Sequence, residues 1–278
     1  MNFKQIVEKA FDEWKNQGHC QEAKDLNDKI GKKYFDTALP QFFTGDLQAS
    51  LVLVHLNPKR DEKDKDGKKL WGKKCKVSFE QYWDEHAFFG KTHYGIKKPT
   101  HKSPFDLKQI RFLKPFGILP FIDEKSEKDK YHNLEVVCDK KLQLELVPFG
   151  SPDFNYSTIK IKNLKSFIEI LLSTIFAYKR EYIIFCGRVF HKILKEFIIE
   201  EKAHKIYLVK KDDTQTRLEY EVINIKLKYN DLEMTACIAP QFALQGCPID
   251  KYGYAVKDLY GRFEEHPTIE FNEYYHLI

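Results

Sequence analysis

The chain has no C-x-x-C pair. Its cysteines stand at 20, 75, 138, 186, 237 and 247, without the Cys/His spacing of a structural zinc site or an iron–sulfur cluster. They read as reduced thiols, and neither a metal nor a cofactor is expected. There is no G-x-x-x-x-G-K-[ST], no G-x-G-x-x-G after a strand and no H-E-x-x-H. Nucleoside-triphosphate enzymes, dinucleotide enzymes and zincins therefore lose support. His86 and His93 surround Phe88-Phe89-Gly90 with no carboxylate at zincin spacing. No apolar run approaches the ~20 residues that span a bilayer. The opening MNFKQIVEKAFDEW lacks the continuous apolar stretch of a signal peptide. A cytoplasmic chain with no membrane partner is the expectation. No internal repeat interrupts the sequence.

What is present suits a sizeable α/β core. Of 278 residues, 42% are hydrophobic, with 22 Phe and 15 Tyr, while 31% are charged and keep the surface wet. The length fits one domain with insertions. The expectation is a single domain over 1–278, with N-terminal helices in 1–38 and a loop-rich insertion at 59–140. The formal charge of +5 is mild, but its distribution is uneven. Residues 59–76 hold nine Lys/Arg against four Asp/Glu, a local excess equal to that of the whole chain. Beside a cleft such a segment attracts phosphate. Otherwise it is a solvated charged loop.

Phe3, Ile6, Val7, Ala10, Phe11 and Trp14 recur at helical spacing over 3–15. A more polar helix comes next over about 21–33, and Pro40 and Gly45 make 39–46 a loop. The run ASLVLVHL at 49–56 is apolar and β-branched, as in a strand covered on both faces, and it stops at Asn57-Pro58. Strands are also predicted at 142–147, 182–186 and 234–238, and helices at about 160–178 and through Leu194. Alternation at 206–208 and 217–229 around Lys211-Asp212-Asp213 predicts an inserted β-hairpin. Alternating helices and strands predict a three-layer α/β sandwich around a central, mainly parallel four-stranded sheet.

Three of those four strands end in a proline-bearing loop: LNPKR, VPFGSP and APQFALQG. Parallel sheets bind ligands outside the carboxyl ends of their strands, so these loops are the candidate walls of one pocket.

At these residues the chain resembles the uracil-DNA glycosylase superfamily, and more closely an uncharacterised bacterial branch of it. LPQFFTGDLQASLVLVHLNPKR is similar to that branch's approach to a strand ending in Asn-Pro-Gly, with Asn57 and Pro58 in register. ELVPFGSPDF resembles its second block, YIIFCGRVFHKIL the strand and capped helix, and CIAPQFALQG the C-terminal loop. The resemblance covers four patches between Leu39 and Gly246. It implies nucleobase or nucleic-acid binding, DNA as the partner, and hydrolysis of an N-glycosidic bond in damaged or mismatched DNA. Asn57 then orients the attacking water, and Glu145 is the second catalytic candidate. Pro58, Lys59, Arg60, Phe149, Ser151, Gln241, Phe242 and Leu244 are the nucleic-acid-binding candidates. Phe242 or Leu244 would be the apolar wedge that accompanies base flipping. The family pattern also differs here: His55 stands in place of a glycine, Lys59 in place of the next glycine, and Ala239 in place of a His or Asn.

Each residue has a plainer reading. Asn57 either faces a guest or braces the turn before proline. His55 is either structural or an acid–base group, and Glu145 either lines a pocket or lies on the surface. Phe149 stacks on a base or packs on a helix. Phe242 probes DNA or caps the sheet. Ser151 and Asp153 cap the next helix or contact phosphate. The alternatives to an enzyme are a nucleic-acid-binding module that has kept the fold and lost the chemistry, and a protein-interaction domain that uses the aromatic-rich 81–95 segment.

Overall fold

The structure is a computed structural model that describes residues 2–35, 39–58, 76–95, 103–151, 154–155, 158–210, 212, 214–242, 247–269 and 273–278. It is a mixed α/β protein with eight described strands. They are β1 (Phe43–Gly45), β2 (Leu51–His55), β3 (Leu142–Glu145), β4 (Tyr182–Cys186), β5 (Ile198–Val209), β6 (Gln215–Tyr229), β7 (Leu232–Ala239) and β8 (Tyr275–Leu277). The sheet order is β1-β3-β2-β4-β7-β6-β5-β8.

This corrects the expected four-stranded, mainly parallel sheet. β4 and β7 are parallel, but β7 to β6, β6 to β5 and β5 to β8 are antiparallel. The hairpin is part of the sheet and not an insertion. A third antiparallel strand follows it through a two-residue turn: Asn230 and Asp231 have φ of 47° and 62°, and Tyr229 pairs with Leu232. Asn and Asp tolerate this left-handed backbone, and their turn suits a tight hairpin. It folds β7 directly back onto β6, in place of a helical crossover.

The chain divides into two compact units. The first comprises Met1–Thr44, Val54–Ala87 and Gln143–Tyr178; the second comprises Gly45–Leu53, Phe88–Leu142 and Lys179–Ile278.

In the first unit, helix α1 (Phe3–Gln17) begins at a capping box between Asn2 and Gln5 and ends at Gly18 in the left-handed region. Its buried Val7, Ala10, Phe11 and Trp14 are four of the six residues of the apolar stripe read from sequence. Phe11 meets Phe79 and Tyr82 of α3 (Phe79–Ala87) at ring-centroid distances of 5.8 and 4.9 Å. Helix α2 spans Gln21–Ile30. Helix α6 (Lys165–Phe176), preceded by a 3₁₀ turn at Ile161–Leu164, turns Phe167, Ile168, Leu171, Leu172 and Ile175 inward.

In the second unit, α4 (Pro104–Leu113) and α5 (Glu127–Lys140) occupy what sequence reads as loops and short helices. A π-helical turn lies at Lys91–Gly95. Helix α7 is the short Val189–Ile193, and α8 spans Ile249–Leu259. A side chain at Gly253 of α8 would put its Cβ 2.2 Å from the Phe112 carbonyl oxygen of α4, so the close approach of these helices needs glycine. One core joins Leu51, Leu53, Ile110, Phe112, Leu134, Val137, Ile184, Ile206, Val222, Cys237, Val256 and Leu259. No helix among the described residues is long and apolar enough to cross a membrane.

Candidate functional site

The first unit joins two of the three proline-bearing exits. β2 is buried at every position, and Leu56 beyond it is buried too. The chain first reaches partial exposure at Asn57 and Pro58. Proline has no N–H to extend a ladder and disfavours a helical residue before it, so the strand stops there.

The backbone links are sequential. Leu146 N donates to His55 O at 2.8 Å, Val147 N to Leu56 O at 2.9 Å and Ser151 N to Pro58 O at 3.2 Å. Numbers rise together on both sides, so the two segments run in the same direction. The first bond puts Leu146 opposite Leu56, which sets Glu145 level with His55 on the neighbouring strand. On the other side Glu145 N donates to Phe42 O at 3.0 Å, and Gln41 N to Pro148 O at 2.8 Å.

The Asn57 side chain closes the junction. Its Nδ2 donates to Ser151 Oγ at 2.8 Å, to Pro58 O at 2.9 Å and, at 3.3 Å, to Phe149 O. Two of these partners are backbone carbonyls, which only accept. The nitrogen must therefore face them, and the amide orientation is fixed by chemistry rather than by its shape. Oδ1 is the face the side chain turns away from those partners. An acceptor held this way receives a hydrogen bond from water or an N–H; it repels a phosphate oxygen.

The neighbouring polar groups are deep. Glu145 is 7% exposed, and its Oε1 accepts from Gln143 Nε2 at 2.8 Å. Gln143, His55, Thr44 and Ser151 are buried as well. Gln143 is a site residue that sequence reading missed. Its signal was the two-residue alternation that puts it on the same face of β3 as Glu145.

Phe149 is buried with its ring edge-on to Phe167 of α6, centroids 6.1 Å apart, which is the packing reading. Among the described residues the next helical turn after Ser151 begins at Ile161, and Ser151 Oγ accepts from Asn57. Asp153 lies outside the described residues, as do Lys59, Arg60 and Leu244.

The third exit belongs to the second unit. Ala239 is fully buried, and its carbonyl accepts from Gly187 N at 2.6 Å. Gln241 is exposed. Phe242 is 2% exposed and meets Phe112 at 4.8 Å and Phe105 at 6.3 Å, while its carbonyl accepts from Lys108 Nζ at 2.9 Å. This is sheet-capping packing. The structure thus gathers Asn57, Pro58, Glu145, Phe149 and Ser151 about one junction, and holds Gln241 and Phe242 in the other unit.

Nucleophilic thiol chemistry finds no support here. Among the described residues, Cys20, Cys138, Cys186 and Cys237 are buried and Cys247 is partly buried, none of them in a disulfide. Burial pushes Cys138 up to about 12 and Cys247 up to about 11, so neither supplies a thiolate at neutral pH. Among the described residues no group of three or more His, Cys, Asp and Glu side chains is arranged to hold a metal ion.

Fold and site together define a mixed α/β protein with a fixed amide at the junction of two buried strands' exits. No protein-family model, curated protein or solved structure matches the chain.

Proposed function

We propose that this chain is a uracil-DNA-glycosylase-like protein that takes a nucleobase of DNA at the Asn57 junction and hydrolyses its N-glycosidic bond. The observation that carries the reading is the fixed amide: with Nδ2 committed to Ser151, Pro58 and Phe149, Asn57 offers Oδ1 to a water. The water oxygen would attack C1′ as the C1′–N bond breaks; the electron pair of that bond would leave with the base, which takes up the proton that the attacking water loses. An amide is too weak a base to take the proton, so Asn57 contributes orientation, and the barrier falls through geometry. Glu145, on the neighbouring strand and held by Gln143, is the second side chain we assign to the sugar's side of the junction. The lysine-rich 59–76 segment, with its local excess of five positive charges, would meet phosphates in a salt-dependent way.

Labelled single strands and duplexes carrying uracil, mismatched thymine or deaminated purines test this directly. Abasic product from the folded chain supports hydrolysis.

A second reading rests on a specific position. Ala239 is buried and apolar where the C-terminal loop of the resembled superfamily carries a His or Asn, so that position offers no polar group to steady a departing base. That absence favours a binding module without turnover. Its signature is salt-dependent retention of the same oligonucleotides with no abasic product.

A further inference from the structure

We infer that Ser151 is the residue that positions Asn57, fixing its amide so that the carbonyl oxygen is the acceptor offered to a guest. The inference rests on the glycosylase-like reading for its catalytic meaning, but its geometry stands by itself.

Ser151 is 94 positions away from Asn57 in sequence and reaches it from the other exit. It holds the Asn57-Pro58 pair from two sides: its Oγ accepts from Asn57 Nδ2 at 2.8 Å, and its N–H donates to Pro58 O at 3.2 Å. It is 2% exposed, so water does not readily replace it. Of the three acceptors around Nδ2, Ser151 Oγ is nearest. Pro58 O is the neighbouring residue's own carbonyl and moves with the turn, while Phe149 O is the farthest at 3.3 Å. Ser151 is therefore the partner that ties the amide to the second strand's exit.

The consequence concerns the guest. With both amide hydrogens turned toward protein acceptors, the Asn57 position recognises a hydrogen-bond donor: a water, or an N–H of a base. Phosphate oxygens that carry no proton are not bound there. Ser151 acts through Asn57, which makes it a positioning residue.

The test uses the full chain labelled with ¹⁵N. The Asn57 side-chain NH₂ pair is assigned by its disappearance in Asn57→Ala, and its exchange with solvent is measured in the wild type, Ser151→Ala and Ser151→Thr. Ser151→Ala is expected to accelerate exchange about five- to tenfold, the size of one lost hydrogen bond. Ser151→Thr, which keeps the hydroxyl, is expected to restore slow exchange. If Ser151→Ala does not fold, Ser151→Cys serves, because a thiol is a poor acceptor of nearly the same size. Unchanged exchange in the folded Ala or Cys variant overturns the inference.

Base release separates this from the parent reading. Where the wild type forms abasic product, Ser151→Ala is expected to lower kcat about tenfold or more with KM within about twofold. An unchanged kcat beside faster exchange overturns the positioning role. Where the wild type forms none, hydrolysis itself fails, and the exchange measurement still decides whether Ser151 holds the amide.

Discussion

Two strand exits that look alike in sequence are built in opposite ways. At Asn57-Pro58 the chain leaves a buried strand at a partly buried amide whose nitrogen lies within reach of three acceptors. At Ala239-Pro240 the second unit ends a strand, its last four residues buried, in an apolar plug, with Phe242 packed against Phe112. Proline stops both strands for the same reason, since it cannot donate to a ladder. The side chains flanking each proline set the difference: one is an amide held by hydrogen bonds at the strand exit, the other an aromatic ring packed into the core.

The comparison is broken most severely at the plug. Phe242→Ala removes a buried ring and should destabilise the fold by about 3–5 kcal/mol, measured by urea unfolding. A loss below about 1 kcal/mol would mean that Phe242 leaves its pocket at little cost, as a DNA-probing wedge would.

The junction at Asn57 is next. Asn57→Asp aims a carboxylate at two backbone carbonyls and removes their donor, for a loss of about 2–3 kcal/mol at pH 7. The variant's carboxyl is expected to titrate above the usual carboxylate range in the folded chain, because its charged form faces those oxygens. The folded state then holds the proton more tightly than the unfolded one. The pH-dependent part of the destabilisation should be absent below about pH 4, grow as pH rises, and level off above the raised pKa. Unfolding midpoints at pH 4 and pH 7, each compared with the wild type, check the sign. A penalty that grows on acidification would contradict the proposed amide orientation.

The smallest effect is electrostatic. Lys59→Ala and Lys74→Ala should leave stability nearly unchanged and weaken oligonucleotide retention. Each contact with phosphate that is lost should reduce the log–log salt slope by about 0.9 for duplex DNA. An unaltered slope would place the phosphate contacts elsewhere.

The strands that build the junction were legible in two ways: burial on both faces writes a continuous apolar run over 49–56, which contains β2, and Leu142, Leu144 and Leu146 alternate with Gln143 and Glu145 over 142–147, which contains β3. β4 at Tyr182–Cys186 was equally clear. β1 was not, because three residues between Pro40 and Gly45 are too few for a period. Gly45, at φ 89°, marks the spot where β1 presses against Lys141: an added Cβ would lie 1.9 Å from that residue's carbonyl oxygen. Helix α4 carried a readable start, Ser103 as N-cap with Pro104 directly after it. Helix α5 had a weaker stripe, with only Asn133, Leu134, Val137 and Cys138 buried along its fourteen residues. The β5–β6 pairing was legible as a hairpin, whereas the antiparallel return of β7 onto β6 hid in Asn230-Asp231, a turn signal of two residues.

For the site, residue types at the strand exits were legible while their partners were not. Asn57, Glu145 and Ser151 could be picked out one by one. The bond from Asn57 to Ser151 spans 94 positions and depends on the strand register, which no local pattern encodes. Phe149 and Phe242 show the converse. Aromatics beside strand ends read equally well as base-stacking surfaces or core, and packing against Phe167 and Phe112 resolves them as core.

The central claim is that the amide fixed at the Asn57 junction orients a hydrolytic water. Its most direct test is single-turnover formation of abasic sites by the wild type and Asn57→Ala, on labelled DNA carrying uracil, mismatched thymine or deaminated purines, with both proteins shown to be folded. Base release by the wild type and a fall of about a hundredfold or more in Asn57→Ala is the expected result. No abasic product from the folded wild type on any of these substrates, or equal rates for the two proteins, would contradict it.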